Sequence, residues 1–190
     1  MSVMPDEVLE PGDAVIVVDV QNDFCPGGAL PIENGDEVIP VCNMWADAAR
    51  KKGLPVYASR DWHPMNHLSF EDQGGQWPPH CIQDTDGAGF HAKLELPDGT
   101  VVVTKGTRFD KDQYSAFDET GFAEELRRHG VKRVWVGGLA QDVCVRATSL
   151  DAAQNGFETH VLLDATRPVT PEGGEEAVSE MEANGVVVER

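Results

Sequence analysis

The chain has 190 residues, 15 Lys and Arg against 33 Asp and Glu for a formal charge of −18, and a hydrophobic share of 41%. That share is too high for a disordered acidic chain and sets the expectation of one packed domain over residues 1–190. The negative charge argues against nucleic acid and anionic lipid as partners, since both need a cationic surface.

Acidic residues are spread along the whole length and lysines number only six, the pattern of a surface kept hydrated in concentrated salt, so a halophilic source is expected. The longest apolar runs fall far short of the roughly 18 residues that span a bilayer, and the N-terminal stretch lacks the basic flank and apolar core of a secretion signal. Cysteines at 25, 42, 81 and 144 form no Cys-x-x-Cys pair and are too sparse for a disulfide framework. A cytoplasmic protein with reduced thiols follows as the expectation.

In chain order, residues 14–20 form a continuous β-branched run, the pattern of a strand buried on both faces of a parallel sheet. Val38, Val41, Cys42, Trp45 and Ala49 then recur at helical spacing, with Gly53 as the stop after a basic last turn. Further strands are expected at 55–59, 101–104, 133–136, 159–163 and 186–188. Phe122, Leu126 and His129 share one helical face that ends at Gly130, and residues 142–155 make a helix closed by Gly156. Thr170-Pro171-Glu172 opens a last helix, with Gly185 beyond its end. Alternating strands and helices predict a three-layer α/β/α fold of Rossmann-like type around a mainly parallel six-stranded sheet. Residues 60–99, rich in Pro, Gly, His and Trp, are too long for a plain connection and are read as a functional loop.

In such sheets ligands bind beyond the carboxyl ends of the strands. Asp19 lies at the end of the first strand, Asp61 and His63 just past the second, Lys105 one residue past the third, and Cys144 shortly after the fourth. A carboxylate, an amine and a thiol have the parts of a nucleophilic amidase: Asp19 takes the thiol proton, while Lys105 and the start of a helix favour the thiolate of Cys144. Taken singly, Cys144 also reads as a small buried residue and Asp19 as a helix cap. Backbone N–H groups at Ala140 and Cys144 could face an oxyanion.

Asp61, His63 and His80 offer three ligands with open positions, suited to a divalent metal such as zinc, manganese or iron. His67 is a candidate fourth ligand or a partner of the ligands. Phe24 and Trp77 flank these groups and could wall a flat ring, though either also serves as core packing. Cys25, Cys42 and Cys81 are assigned to the core, and His91, His129 and His160 receive no role.

Five segments together, Val18-Asp-Val-Gln-Asn-Asp-Phe24, Arg60-Asp-Trp-His-Pro64 with Asn66-His67, Trp77-Pro-Pro-His-Cys81, Lys105-Gly106 and Gly138-Leu-Ala-Gln-Asp-Val-Cys-Val145, resemble the signatures of nicotinamidases within the isochorismatase-like cysteine hydrolases. The resemblance spans nearly the whole chain, and the second and third segments are the ones particular to nicotinamidases. It implies deamidation of nicotinamide to nicotinate and ammonia through a thioester, a step of NAD salvage. Catalytic positions fall on Asp19, Lys105 and Cys144, metal positions on Asp61, His63 and His80, and ring contacts on Phe24 and Trp77.

The resemblance also implies a cis peptide between Leu139 and Ala140. It leaves His67 and Glu71 undecided as a fourth ligand, and it makes a homo-oligomer the expectation. The nearest alternative is another amidase or hydrolase of the same superfamily acting on a different small amide. A nucleotide-binding protein is disfavoured because Gly-x-Gly-x-x-Gly is absent after the first strand. An acidic interaction platform is the third reading, separated from the others by whether partners stay bound in molar salt.

Overall fold

The structure is a computed structural model that describes residues 3–190. Met1 and Ser2 of the expected unit 1–190 lie outside the described residues. Six strands, β1 (Asp13–Val18), β2 (Val56–Asp61), β3 (Val101–Lys105), β4 (Arg133–Leu139), β5 (Glu158–Arg167) and β6 (Val187–Glu189), form one sheet in the order β3-β2-β1-β4-β5-β6. Every pairing is parallel. The helices are α1 (Pro5–Val8), α2 (Ile39–Lys51), α3 (Phe122–Arg128), α4 (Arg146–Gln154) and α5 (Pro171–Ala183).

Alternation along β1 divides the core. Val15 and Val17 face a cluster that includes Trp45, Ala46 and Ala49 of α2, whereas Ala14, Ile16 and Val18 face a cluster that includes Leu126 of α3, Ala152 of α4 and Met181 of α5. Both faces of β1 are therefore covered, which is why its sequence is continuously apolar instead of alternating. The chain winds outward from β1 in one direction and from β4 in the other, leaving a crevice between their carboxyl ends at the topological switch point.

Beyond the longer reach of β2 to Asp61 and of β5 to Arg167, two elements exceed the sequence expectation. Gly137 and Gly138, past the expected strand at 133–136, continue β4 through a register shift against β5. Gly138 has φ +123°, and a Cβ there would stand 2.0 Å from the Val18 carbonyl, so glycine lets β4 close on β1 beside the crevice. The other element, α1, has four residues, too few to show a period.

Away from the crevice, Asp13 at the start of β1 accepts from Arg133 Nε at 2.8 Å and Nη2 at 2.8 Å. Burial alone would raise the Asp13 carboxyl, but the bonds from Arg133, from the Glu10 amide and from Trp135 hold it below the usual carboxylate range. Its contribution to stability is present above the unfolded value of about 4 and is lost as pH falls through the depressed folded value. Acid titration of unfolding is expected to show Asp13→Asn with a shallower loss of stability than wild type below about pH 4. Equal slopes would contradict this.

Candidate active site

Four side chains meet at the crevice. Asp19 follows β1 with φ +48°, a left-handed conformation that turns the chain away from β2, and it is fully buried. Lys105 ends β3 and is equally buried. Its Nζ lies 2.7 Å from Asp19 Oδ2, 2.5 Å from Asp61 Oδ1, 3.5 Å from Cys144 Sγ and 3.3 Å from the Gln113 carbonyl. Ser59 Oγ donates to the second Asp19 oxygen at 2.7 Å.

Donor atoms of Asp19, Asp61 and Cys144 lie within 4.8 Å of one another. The cation of that cluster is the Lys105 ammonium. Burial would lower the Lys105 pKa, yet Asp19 and Asp61 hold it well above its ordinary value.

Cys144 stands in a π-helical turn (Gln141–Val145) that leads into α4. The surroundings of the sulfur oppose the expected thiolate. Burial pushes the Cys144 thiol well above its usual range, with Lys105 opposing the rise and Asp19 and Asp61 adding to it. Burial also raises Asp19, against the pull of Lys105. The Leu139–Ala140 peptide is cis, and the Ala140 carbonyl accepts from the amides of Val143 and Val145, on either side of Cys144.

Beside this cluster, one donor atom from each of Asp61, His63 and His80 lies within 4.8 Å of the others, all three residues being buried. His63 Nε2 is 3.5 Å from Asp61 Oδ2. His63 Nδ1 contacts the Gly106 carbonyl at 3.0 Å and His80 Nδ1 the Pro78 carbonyl at 2.8 Å. A carbonyl only accepts, so each Nδ1 carries the hydrogen and each Nε2 keeps its lone pair. Despite burial, Lys105 keeps Asp61 well below the usual carboxylate range. Two imidazole lone pairs and an ionised carboxylate fit a divalent metal ion.

His67 is differently engaged. Its Nε2 meets the Lys111 carbonyl at 3.0 Å and its Nδ1 meets Ser69 Oγ at 2.7 Å, so both ring nitrogens have protein partners while the ring stacks on His63 at 4.0 Å. It thus supports a ligand face instead of presenting a free lone pair. Glu71 is exposed.

Gly106, at φ +68°, lies against the His63 ring, and an added Cβ would fall 2.5 Å from Cε1 and 2.7 Å from Nδ1. Gly106→Ala is therefore expected to displace His63 and weaken metal affinity by about 10- to 100-fold, the usual effect of losing a group that orients a ligand. A chelator competition that returned the wild-type affinity would contradict this.

A pocket reaches Cys144, Ala140, Asp61, His63 and His80, with Phe24, Leu30, Ile32, Trp77, Tyr114, Val143 and Val169 among its walls. Phe24 packs on His80 at 5.5 Å, and the Trp77 indole N–H donates to the Tyr114 hydroxyl at 3.1 Å. The structure thus brings Asp19, Lys105 and Cys144 into contact, sets Asp61, His63 and His80 next to them, and places Phe24 and Trp77 in one pocket.

Sequence reasoning missed Gln21, Ser59, Gln113 and Tyr114, whose roles depend on partners 8 to 67 positions away. Gln21 does lie inside the first signature segment, between Asp19 and Phe24. Ser59 and Gln113 carry no sequence signal.

A parallel sheet that gathers a thiol, a carboxylate and a buried ammonium at its switch point, beneath an apolar pocket, has the arrangement of a thiol-dependent hydrolase. The chain belongs to the isochorismatase family, whose domain model matches residues 13–190. It is 38% identical to the nicotinamidase of Escherichia coli (strain K12), with 94% of each chain covered. Pyrazinamidase of Pyrococcus horikoshii, solved in complex with zinc, superposes with a TM-score of 0.91 at 48% identity, covering 94% of this chain and 98% of that one. PnC1 from L. infantum, solved in complex with nicotinate, superposes at 0.89 with 36% identity, covering 99% and 96%.

Proposed function

We propose that the protein is a nicotinamidase, a nicotinamide amidohydrolase that releases nicotinate and ammonia and so serves NAD salvage. The observation that carries this reading is the contact of Lys105 with Asp19, Asp61 and Cys144, which joins a nucleophile to a metal-type triad under one aromatic pocket. Nicotinamide occupies the pocket with its ring between Phe24 and Trp77.

Asp19 takes the Cys144 thiol proton as the sulfur attacks the carboxamide carbon, and the oxyanion is met by the amides of Ala140 and Cys144. Collapse breaks the C–N bond, Asp19 returns its proton to the departing ammonia, and a thioester remains. Water then attacks, giving one proton to Asp19, which restores the thiol, and the other to solvent as nicotinate leaves. The raised thiol makes a base necessary at the moment of attack. Lys105 keeps Asp19 and the developing thiolate together.

Asp61, His63 and His80 are the proposed holders of a divalent metal, with His67 bracing His63. Such an ion supplies a Lewis-acidic open position for a substrate heteroatom. Zinc is our assignment within the divalent class, supported by the mixed nitrogen and oxygen donor set and by the zinc complex of the P. horikoshii relative. We take residues 1–190 to act as one hydrolase unit, supported by the family match over 13–190, and we assign it to the cytoplasm, where four unpaired cysteines are at home. The assembly is proposed to be a homo-oligomer. Neither nucleic acid nor a membrane is a partner in this reading, in keeping with the net charge of −18.

The test is ammonia release from nicotinamide against a panel of small amides, with and without chelator, in high salt. Preference for nicotinamide and its loss on chelation are expected. A preference for a non-aromatic amide would instead support another activity of the superfamily.

A further inference from the structure

Two further polar side chains of the segment that carries Asp19 reach across to the proposed metal triad. The β1–β2 ladder ends at Val18 and Ser59, with the Asp19 amide donating to the Ser59 carbonyl at 3.1 Å. Beyond that point Asp19 turns the chain away, yet β2 runs on to Asp61, which still pairs with Lys105 on its other side. The Asp61 peptide would then face the gap left by β1 with nothing to bond.

The Gln21 carboxamide fills this gap. Its Oε1 accepts from the Asp61 amide at 2.8 Å, and its Nε2 donates to the Asp61 carbonyl at 2.7 Å and to the Ala88 carbonyl at 2.8 Å. A side-chain amide has the donor and acceptor of a peptide group, so Gln21 acts as one further residue of strand at the position where the ligand is displayed. It is fully buried, and its amide uses both N–H hydrogens and the oxygen.

Two residues on, Asp23 does the same at the other flank. Its Oδ2 accepts from the Cys81 amide, the peptide that joins His80 to Cys81, at 2.8 Å, while Oδ1 accepts from Ala29 at 3.0 Å. The Cys81 carbonyl in turn accepts from the His63 amide at 2.8 Å. One carboxylate thus anchors the peptide between His80 and the residue that fixes His63.

We propose that Gln21 and Asp23 are positioning residues for metal binding, setting Asp61 and the His80–His63 pair at their working separation. The proposal rests on reading Asp61, His63 and His80 as the metal ligands. It assigns the segment 19–23 two tasks: Asp19 serves the thiol, and the next two inward side chains template the ion.

The test measures zinc affinity by competition with a chromogenic chelator, alongside kcat and KM for nicotinamide, in wild type, Gln21→Leu, Asp23→Ala and Asp61→Asn. Gln21→Leu and Asp23→Ala are each expected to weaken zinc binding about 10- to 100-fold. At subsaturating zinc they should raise KM more than they lower kcat, and saturating zinc should restore most of the loss. Asp23→Asn, which keeps an acceptor oxygen, should recover a large part of the affinity, a rescue that general destabilisation would not produce. Should Gln21→Leu not fold, Gln21→Glu carries the same test, since it keeps an oxygen for the Asp61 amide and forfeits both N–H donations.

Affinities within twofold of wild type in the Gln21 and Asp23 variants, with Asp61→Asn impaired, would overturn the positioning role alone. A wild type that takes up no zinc, or an Asp61→Asn variant that binds it normally, would instead remove the metal reading and the proposal with it.

Discussion

Lys105→Met is expected to disable two functions at once: turnover of nicotinamide falls by at least about 1000-fold, and zinc affinity falls with it. Among the described residues, Lys105 is the one charge that touches Asp19, Asp61 and Cys144 together. Without it two buried carboxylates with oxygens inside 4.8 Å share a site with no ammonium, and one of them takes up a proton. A protonated Asp19 no longer accepts from the thiol, and a protonated Asp61 is a poorer metal ligand.

Leaving a buried charge without its partner costs on the order of 3–5 kcal/mol of stability. Methionine matches the length of the stem, so loss of charge and not of volume is what the variant reports. Kinetics, chelator competition and denaturant unfolding on one preparation check all three effects. A variant that lost activity while binding zinc as wild type does would separate the two centres and contradict the coupling.

Cys144→Ala is expected to lower ammonia release by about 1000-fold or more, corresponding to upward of about 4 kcal/mol of transition-state stabilisation. Zinc affinity should stay near the wild-type value, because the sulfur is not among the Asp61, His63 and His80 donors. The fold should persist, since the contact of the sulfur with Lys105 is long, at 3.5 Å, and the ammonium keeps both carboxylates without it. Wild-type turnover by this variant would remove the thiol from the chemistry.

The fold was legible because its signal is carried by runs of residues. Continuous Val and Ile in β1 announce a strand covered on both faces, and Gly53, Gly130, Gly156 and Gly185 follow the ends of helices, each with positive φ. Gly137 and Gly138 fell outside the expected strand, because glycine serves close approach of two strands as well as it serves turns, and only the neighbouring Val18 distinguishes the two.

At the site, Asp19, Asp61, Lys105 and Cys144 were legible from their places at strand ends. Their protonation was not. A helix start and a lysine read along the chain favour a thiolate, whereas the fold adds burial and a second carboxylate, Asp61, on the same lysine. The bracing of His67 against Lys111 and the reach of Gln21 to Ala88 are likewise properties of loops brought together in space.

The central claim is that the Cys144 sulfur becomes acylated during turnover. Acid quenching of the enzyme during steady-state turnover of nicotinamide, followed by peptide mass spectrometry, tests it directly. The account predicts a nicotinoyl adduct on the peptide bearing Cys144, absent from Cys144→Ala. An enzyme that turns over normally with the adduct on another residue, or on none under conditions that trap thioesters, would contradict it.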